Sequence, residues 1–163
     1  MKKPQIIPGK ILTLPQLLQQ VNRLRLLSKT LVFTNGCYDI LHPGHIASLS
    51  QAAVEADYLI VAVNADESVK KLKGPDRPLN NQDSRSEMLA SLLMVDAVTI
   101  FEEDTPLELI KAILPDVLVK GGDYTIDRIV GADVVQSYGG SVEIIPFVKG
   151  YSTTSIIERI KGL

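Results

Sequence analysis

Five short apolar runs along the chain predict the strands of a central sheet. They lie at 31–34, 58–63, 97–101, 116–119 and 142–145. Within each run the apolar residues follow one another with little polar alternation, which is typical of strands that are covered on both faces. We therefore expect these strands to lie in the interior, with helices packed above and below them.

Segments with the apolar spacing of helices separate these runs. The predicted helices are 14–28, which Thr13 can cap, and 43–56, 82–94, 106–113, 126–138 and 153–160. Strands that alternate with helices predict βαβ crossovers. We therefore predict a single doubly wound, Rossmann-like α/β domain with a five-stranded parallel sheet and helices on both faces. We expect an irregular segment over 1–13, a lead-in and first helix over 1–29, and the main domain over 30–163.

Composition excludes several classes of protein. Of the 163 residues 45% are hydrophobic and 22% are charged, as in folded globular domains. The net charge of −2 and the absence of tryptophan argue against a nucleic-acid partner. No apolar run is long enough to cross a membrane, and no signal peptide is visible. The single cysteine, Cys37, excludes an intramolecular disulfide and a cysteine-cluster zinc site, so we expect a cytoplasmic protein.

The predicted fold indicates where a ligand binds. In open parallel sheets, ligands bind beyond the carboxyl ends of the strands, near the point where the strand order reverses. The loops at those ends are 35–44, 64–81, 102–105, 120–125 and 146–153, and they contain most of the unusual residues of the chain.

The loop after the first strand contains both histidines of the chain. His42 precedes a helix that begins at Pro43, and His45 lies in its first turn, so that both rings face one side. Free N–H groups at a helix start attract phosphate, and Gly44 leaves room for its approach. Two imidazoles can donate to the oxygens of a phosphoryl group under attack. The alternative is a helix cap and a core contact; a zinc site would require further ligands.

The loop after the second strand is cationic. Three lysines and an arginine lie within 70–77, and we expect a flexible loop whose Lys73 closes over a triphosphate. The alternative is a solvated charged loop. Arg85, in the following helix, is a possible phosphate contact or an ion-pair partner of Glu87 or Asp83.

Two later loops carry further candidates. After the fourth strand, Gly121 lets the backbone approach a base, and Asp123 can accept from a ribose hydroxyl or an amine, or simply cap a helix. After the fifth strand, Ser152 and Thr153 open the last helix with hydroxyls that suit phosphate, or act as an ordinary cap.

The segment Gly-Cys-Tyr-Asp-Ile-Leu-His-Pro-Gly-His at 36–45 resembles the G-x-[FY]-D-x-x-H-x-G-H signature of the cytidylyltransferase-like nucleotidyltransferase superfamily. Further segments resemble the adenylyltransferase part of bacterial ADP-heptose synthases, and the resemblance covers about 30–161. These segments are 62–66, 73–78, 101–106, 116–124 and 152–154.

The resemblance implies roles for individual residues. His42, His45 and Lys73 would be catalytic, and Ser152 and Thr153 would hold the β- and γ-phosphates with Lys73. The implied nucleotide-binding residues are Thr34, Asn35, Gly36, Cys37, Tyr38, Asp39, Gly44, Asn64, Lys120, Gly121, Asp123, Ser152 and Thr153.

The implied reaction is transfer of AMP from ATP to D-glycero-D-manno-heptose 1-phosphate, giving ADP-heptose for lipopolysaccharide core synthesis and pyrophosphate. Mg²⁺ would bridge the triphosphate, with protein ligands that the sequence does not identify. The chain has only about 30 residues where related synthases often carry a sugar kinase, so we expect a separate kinase. A homodimer is possible, and no membrane partner is expected.

Two other functions stay open. The first is cytidylyl transfer to glycerol 3-phosphate or another phosphorylated acceptor, which the absence of arginine from 146–149 disfavours. The second is a nucleotide-binding module without catalysis. The intact histidine pair argues against it, because binding alone does not require that pair.

Overall fold

The computed structural model describes residues 5–148 and 150–163, so residues 1–4 of the predicted lead-in and Lys149 lie outside the described residues. Its five strands pair in parallel in the order β3-β2-β1-β4-β5. The strands are β1 Leu31–Gly36, β2 Tyr58–Asn64, β3 Ala97–Phe101, β4 Val117–Gly121 and β5 Ser141–Ile145. All five lie where the apolar runs predicted them.

Helices cover both faces of the sheet, as predicted. They are α1 Ile6–Gly9, α2 Leu14–Leu26, α3 Pro43–Ala52, α4 Asp66–Lys73, α5 Gln82–Ala90, α6 Leu107–Ile113, α7 Ala132–Ser137 and α8 Thr153–Lys161, with a short 3-10 helix at Ile126–Arg128. Helices α2, α6 and α7 pack with Phe33 in one buried cluster, and α3 and α5 pack with Val32 in the other. Neighbouring residues of a strand point to opposite faces, so the two clusters lie on opposite sides of the sheet. None of the described helices is long and apolar enough to span a membrane.

The strand order reverses between β1 and β4. From β1 the chain builds outward through β2 and β3, and then returns to place β4 on the other side of β1. The loops that follow β1 and β4 therefore diverge and leave a crevice at the carboxyl edge of the sheet.

The segment after β2 differs from its prediction. A loop was expected over 64–81, but Asp66–Lys73 forms α4. Acidic residues lie in its first turn and lysines in its last, an order that the helix dipole favours. Val69 anchors this helix by full burial. The prediction was wrong because the lysines were attributed to an open loop rather than to the polar face of a short helix.

The helix predicted over 126–138 is interrupted. The 3-10 helix and α7 are separated by Gly131, whose φ of +84° is left-handed. A Cβ at this position would lie 2.7 Å from Cδ1 of the buried Ile110. The chain therefore turns at Gly131 and re-enters a helix in a new direction.

The lead-in is more ordered than predicted. Besides α1, it pairs with the edge strand β3: Leu12 N–H donates to the Val98 carbonyl, and Val98 N–H donates to the Lys10 carbonyl, both at 2.8 Å. The described part of the lead-in thereby protects the free edge of the sheet.

Candidate active site

Two adjoining cavities occupy the carboxyl edge of the sheet. The larger, of about 560 Å³, contains both histidines and is called the histidine cavity. The smaller, of about 360 Å³, contains Arg128 and is called the arginine cavity. They share a wall formed by Asn35, Gly36, Cys37, Lys73, Lys120 and Tyr124. The two volumes therefore meet at the crevice between β1 and β4.

The two histidines form a stacked pair at the start of α3. Their ring centroids are 3.8 Å apart, and the ring planes differ by 16°. Nδ1 of His42, the N-cap residue, accepts the backbone N–H of His45 at 3.3 Å. Neutral His42 therefore carries its proton on Nε2, at the opposite side of the ring. A Cβ at Gly44 would lie 3.0 Å from His42 Nδ1, so glycine lets the ring fold back against the helix.

Burial keeps both imidazoles neutral near pH 7. It lowers the pKa of His42, and burial together with the neighbouring His42 ring lowers the pKa of His45 to about 4. Nδ1 of His45 is buried and has no hydrogen-bond partner among the described residues. In the ligand-free site each ring can thus donate a single N–H without bringing a charge.

Asp39 fixes the loop that follows α4. Its buried carboxylate accepts the backbone N–H groups of Leu79 and Asn80 at 2.8 and 2.9 Å and Nε of Arg77 at 2.7 Å. Burial alone would raise the pKa of Asp39, but these hydrogen bonds and the Arg77 charge lower it. The ion pair uses only Nε of Arg77, whose side chain lines the histidine cavity. Asp39 therefore holds a cation at the cavity wall.

Arg85 lies beneath the site and not in it. Its side chain is fully buried, and its guanidinium donates to four acceptors. These are the carbonyls of Cys37, Asn64 and Asn80, at 2.6 to 2.9 Å, and the Asp66 carboxylate at 2.7 Å. The predicted phosphate contact is therefore wrong, as are Glu87 and Asp83 as its partners, because no donor remains exposed. Arg85 instead ties the ends of β1 and β2 to the loop before α5.

Lys120 places a half-buried cation in the shared wall. Its ammonium donates to Asn35 Oδ1 at 3.3 Å and lies 6.0 Å from the ring centroid of Tyr124. Burial lowers its pKa, and it makes no ion pair with any described residue. An anionic ligand at this wall would supply the missing countercharge.

The start of α8 faces the same cavity. Ser152 caps the helix, and its Oγ accepts the N–H of Ser155 at 3.0 Å. The ring of Tyr151 lies 6.5 Å from that of His42. The amino-terminal ends of α3 and α8 therefore border one volume, and each brings the positive end of a helix dipole to it.

Most of the predicted site residues come together. Those lining the histidine cavity are Thr34, Asn35, Gly36, Cys37, Tyr38, Asp39, His42, Gly44, His45, Lys73, Lys120, Gly121, Ser152 and Thr153. Asn64 lines only the arginine cavity. Asp123 is exposed and lines neither cavity.

Sequence reasoning missed several lining residues. In the histidine cavity these are Ser48, Arg77, Tyr124, Phe147 and Tyr151, and in the arginine cavity Asp104, Thr105 and Arg128. Arg77 was part of the cationic run and could have been selected from it. No sequence pattern distinguishes Arg128, because its place at the cavity depends on how the 3-10 helix packs.

The acidic side chains offer no preformed metal cage. Within residues 5–148 and 150–163, no group of three or more histidine, cysteine or acidic side chains could hold an ion. Asp39 is the one carboxylate among the described residues that line the histidine cavity, and its oxygens are already bonded. A Mg²⁺ ion would therefore be held mainly by phosphate oxygens and water.

The fold and this site define a class of nucleotidyltransferase-like proteins. The model of the cytidylyltransferase-like family matches residues 33–159, and the chain belongs to that family. Among curated relatives, it is 56% identical over 149 residues to the bifunctional protein HldE of Marinomonas sp. (strain MWYL1), and 54% identical over 152 residues to that of Ectopseudomonas mendocina. These alignments cover 91% and 93% of this chain but only 31% and 32% of the relatives, so the chain spans about a third of their length.

Solved structures show the same fold. The lipopolysaccharide core biosynthesis protein of Thermoplasma volcanium is 25% identical with a TM-score of 0.59, over 76% of this chain and 99% of that one. Pantoate-beta-alanine ligase of Francisella tularensis is 18% identical with a TM-score of 0.64, and the match covers 93% of this chain and 76% of the ligase chain. The second likeness concerns the fold alone.

Proposed function

We propose that the protein transfers AMP from ATP to D-glycero-D-manno-heptose 1-phosphate. The similarity to HldE proteins supports this reaction, as does the resemblance of segments 62–66 and 116–124 to ADP-heptose synthases. The observation that carries it is the stacked pair of His42 and His45, which meets the start of α8 across one cavity.

In this reaction a phosphate oxygen of the acceptor attacks the α-phosphorus of ATP. The bond from that phosphorus to the oxygen bridging to the β-phosphorus breaks, and pyrophosphate leaves with the bonding pair. The attacking group is already an anion, so the protein needs no nucleophile of its own and contributes position and hydrogen-bond donors.

The histidine pair would stabilise the charge that builds up at the α-phosphate. Nε2–H of His42 and one N–H of His45 would donate to its equatorial oxygens. Because both rings are neutral before ATP binds, no buried charge has to be tolerated in the free enzyme. The triphosphate would in turn favour the protonated rings, since it places negative charge beside them.

The leaving group would bind between α4 and α8. Lys73 and Arg77 line the cavity on one side, and Ser152 and Thr153 on the other. These groups would hold the β- and γ-phosphates and stabilise the pyrophosphate as it forms. Mg²⁺, when bound to the triphosphate, would neutralise part of its charge.

The nucleoside would lie along the end of β4. Lys120 and Gly121 line the histidine cavity, and Phe147 also lies at its wall. Asp123 does not line this cavity, and we propose that its carboxylate accepts a hydrogen bond from the ribose at the cavity opening. We further propose that 30–163 is the catalytic unit, that it acts in the cytoplasm on the product of a sugar kinase, and that it can act as a homodimer.

Cytidylyl transfer is the second candidate. It is supported by the family's description as cytidylyltransferase-like. It is disfavoured by residues 146–148, which provide no arginine beside the start of α8.

Pyrophosphate release tests both candidates. ATP and CTP are each offered with heptose 1-phosphate and with glycerol 3-phosphate, and a variant carrying both His42→Ala and His45→Ala serves as the background control. Release from ATP with the heptose ester alone is the expected result. Release from CTP would move the assignment to cytidylyl transfer, and no release above background from any pair would indicate a binding module.

A further inference from the structure

The arginine cavity lies on the side of the crevice away from α8. Its wall comes from the ends of β1 and β2, from α4, from the loop after β3 and from the 3-10 helix. The histidine cavity instead extends over α3, the end of β5 and the start of α8. A ligand in the arginine cavity would therefore approach the shared wall from the side opposite α8.

The charge of this cavity is positive. Lys73, Lys120 and Arg128 line it, and the one acidic residue among its described lining, Asp104, already pairs with Lys71 at 3.0 Å. Lys120 and Arg128 make no ion pair with any described residue. A cavity with unpaired cations suits an anionic ligand.

The uncharged lining suits a polyol. Asn64 is buried, and its side-chain Nδ2–H donates to Ser68 Oγ at 3.2 Å. Its side-chain Oδ1 can accept a further hydrogen bond. Asn35 and Thr105 add further polar groups, whereas Leu72 and Ile129 form an apolar wall. Sugar hydroxyls require such a mixture of acceptors, donors and apolar surface.

We propose that the arginine cavity binds the phosphorylated acceptor and that Arg128 binds its phosphate group. This inference rests on the proposed function, since it assumes that the histidine cavity holds the nucleotide. Lys73 and Lys120 line both cavities, whereas Arg128 lines only the arginine cavity. A substitution at Arg128 should therefore affect binding of the acceptor and not binding of ATP. Arg128 would orient an acceptor phosphate oxygen across the shared wall, toward the α-phosphorus held by the histidine pair.

Substitution of Arg128 gives the kinetic test. In Arg128→Gln we expect the acceptor KM to rise about 10- to 100-fold, as for the loss of a charged hydrogen bond. The KM for ATP should stay within about twofold. Arg128→Lys keeps the charge but loses the planar guanidinium, so its acceptor KM should lie between those of the wild type and Arg128→Gln. Arg23→Gln is the matched control, because Arg23 is exposed on α2 and lines neither cavity.

Alkylation of the single cysteine gives a readout without turnover. Cys37 lies in the shared wall, so a ligand in either cavity should slow its reaction with iodoacetamide. Heptose 1-phosphate should protect the wild type, and Arg128→Gln should need about tenfold more of it for the same protection. Protection by a non-hydrolysable ATP analogue should be equal in both proteins, which also shows that the variant is folded.

The outcomes separate this inference from the proposed function. Unchanged acceptor KM in Arg128→Gln, with AMP transfer intact, would overturn the inference and leave the reaction standing. An equal rise in the KM for ATP would also overturn it, because Arg128 would then serve the nucleotide. If the wild type transfers no AMP to heptose 1-phosphate but inorganic phosphate protects Cys37 in an Arg128-dependent manner, the anion site stands and the proposed acceptor fails.

Discussion

The side chains of His42 and His45 act as a pair because a backbone contact fixes their relation. The N–H of His45 reaches back to Nδ1 of His42, and the rings then stack at 3.8 Å. Tyr38 lies edge-on to His45 at 5.3 Å and limits its rotation. Two donors held in this way lose little freedom when a phosphoryl group binds.

Replacing either histidine should therefore affect the rate more than binding. For His42→Ala and for His45→Ala we expect kcat to fall about 10²- to 10³-fold, the usual effect of losing one preorganised donor. The Kd for ATP, measured by calorimetry, should change by less than about threefold. A variant that turns over at the wild-type rate would rule out the proposed role for that ring.

Arg85 shows how a buried charge can support a site from below. Three of its four acceptors are the backbone carbonyls of Cys37, Asn64 and Asn80, at two strand ends and in the loop before α5. Removing the guanidinium would leave those buried carbonyls without donors. It would also leave the Asp66 carboxylate without its partner.

We expect Arg85→Met to cost about 3 kcal/mol of unfolding free energy, as for other buried pairs that lose one partner. Urea-induced unfolding measures the change. The control Arg23→Met alters an exposed helical arginine and should cost less than about 0.5 kcal/mol. Full stability of Arg85→Met together with lost ATP binding would point back to a phosphate contact.

At the scale of elements, the amino-terminal ends of α3 and α8 and the carboxyl-terminal end of α4 surround one volume. The first two present N–H groups, and the third presents Lys73. Asp39 then holds the following loop through Leu79, Asn80 and Arg77. The proposed phosphate-binding surface is thus built from helix ends that are distant in sequence.

In the proposed arrangement, Lys73 contacts the β- and γ-phosphates, which ATP has and AMP lacks. Lys73→Ala should raise the Kd for ATP about tenfold and leave the Kd for AMP nearly unchanged. Lys70→Ala is the control on the same helix, because Lys70 lines neither cavity and pairs with Glu67 at 2.6 Å. Equal weakening of ATP and AMP would mean that Lys73 is only part of the general positive field.

For the whole molecule, the half-buried His45 makes stability depend on pH. His45 has a pKa of about 4 when folded and about 6.5 when unfolded. Between these values the unfolded chain binds more protons, so the contribution is complete above pH 6.5 and is lost as the pH falls toward 4. The lowered pKa of Asp39 acts at still lower pH, through the loss of its hydrogen bonds.

We therefore expect the unfolding free energy to decrease from pH 7 to pH 4.5, and to decrease less in His45→Gln. Urea titrations at several pH values measure both slopes, and the difference between them isolates His45 from the remaining carboxylates. Parallel slopes in the two proteins would show that the ring is accessible to protons in the folded state.

The amino-acid sequence by itself determined the sheet and the position of the site. Unbroken apolar runs specify strands with two covered faces, and all five were placed correctly. The loop at 36–45 specified the histidine pair, since Pro43 and Gly44 fix a local geometry that needs no distant partner. Local signals of this kind depend only on residues that are close in sequence, so they can be recognised from the sequence alone.

The tertiary structure decided what depends on distant contacts. Arg85 became a buried support because the carbonyls of Cys37 and Asn64 lie above it. The helix is broken at Gly131, where a Cβ would meet the buried Ile110. Arg128, in the 3-10 helix before this break, lines a cavity that no sequence pattern predicts. Burial and countercharge are properties of the packed chain, and they decide which charged side chain supports the fold and which faces a ligand.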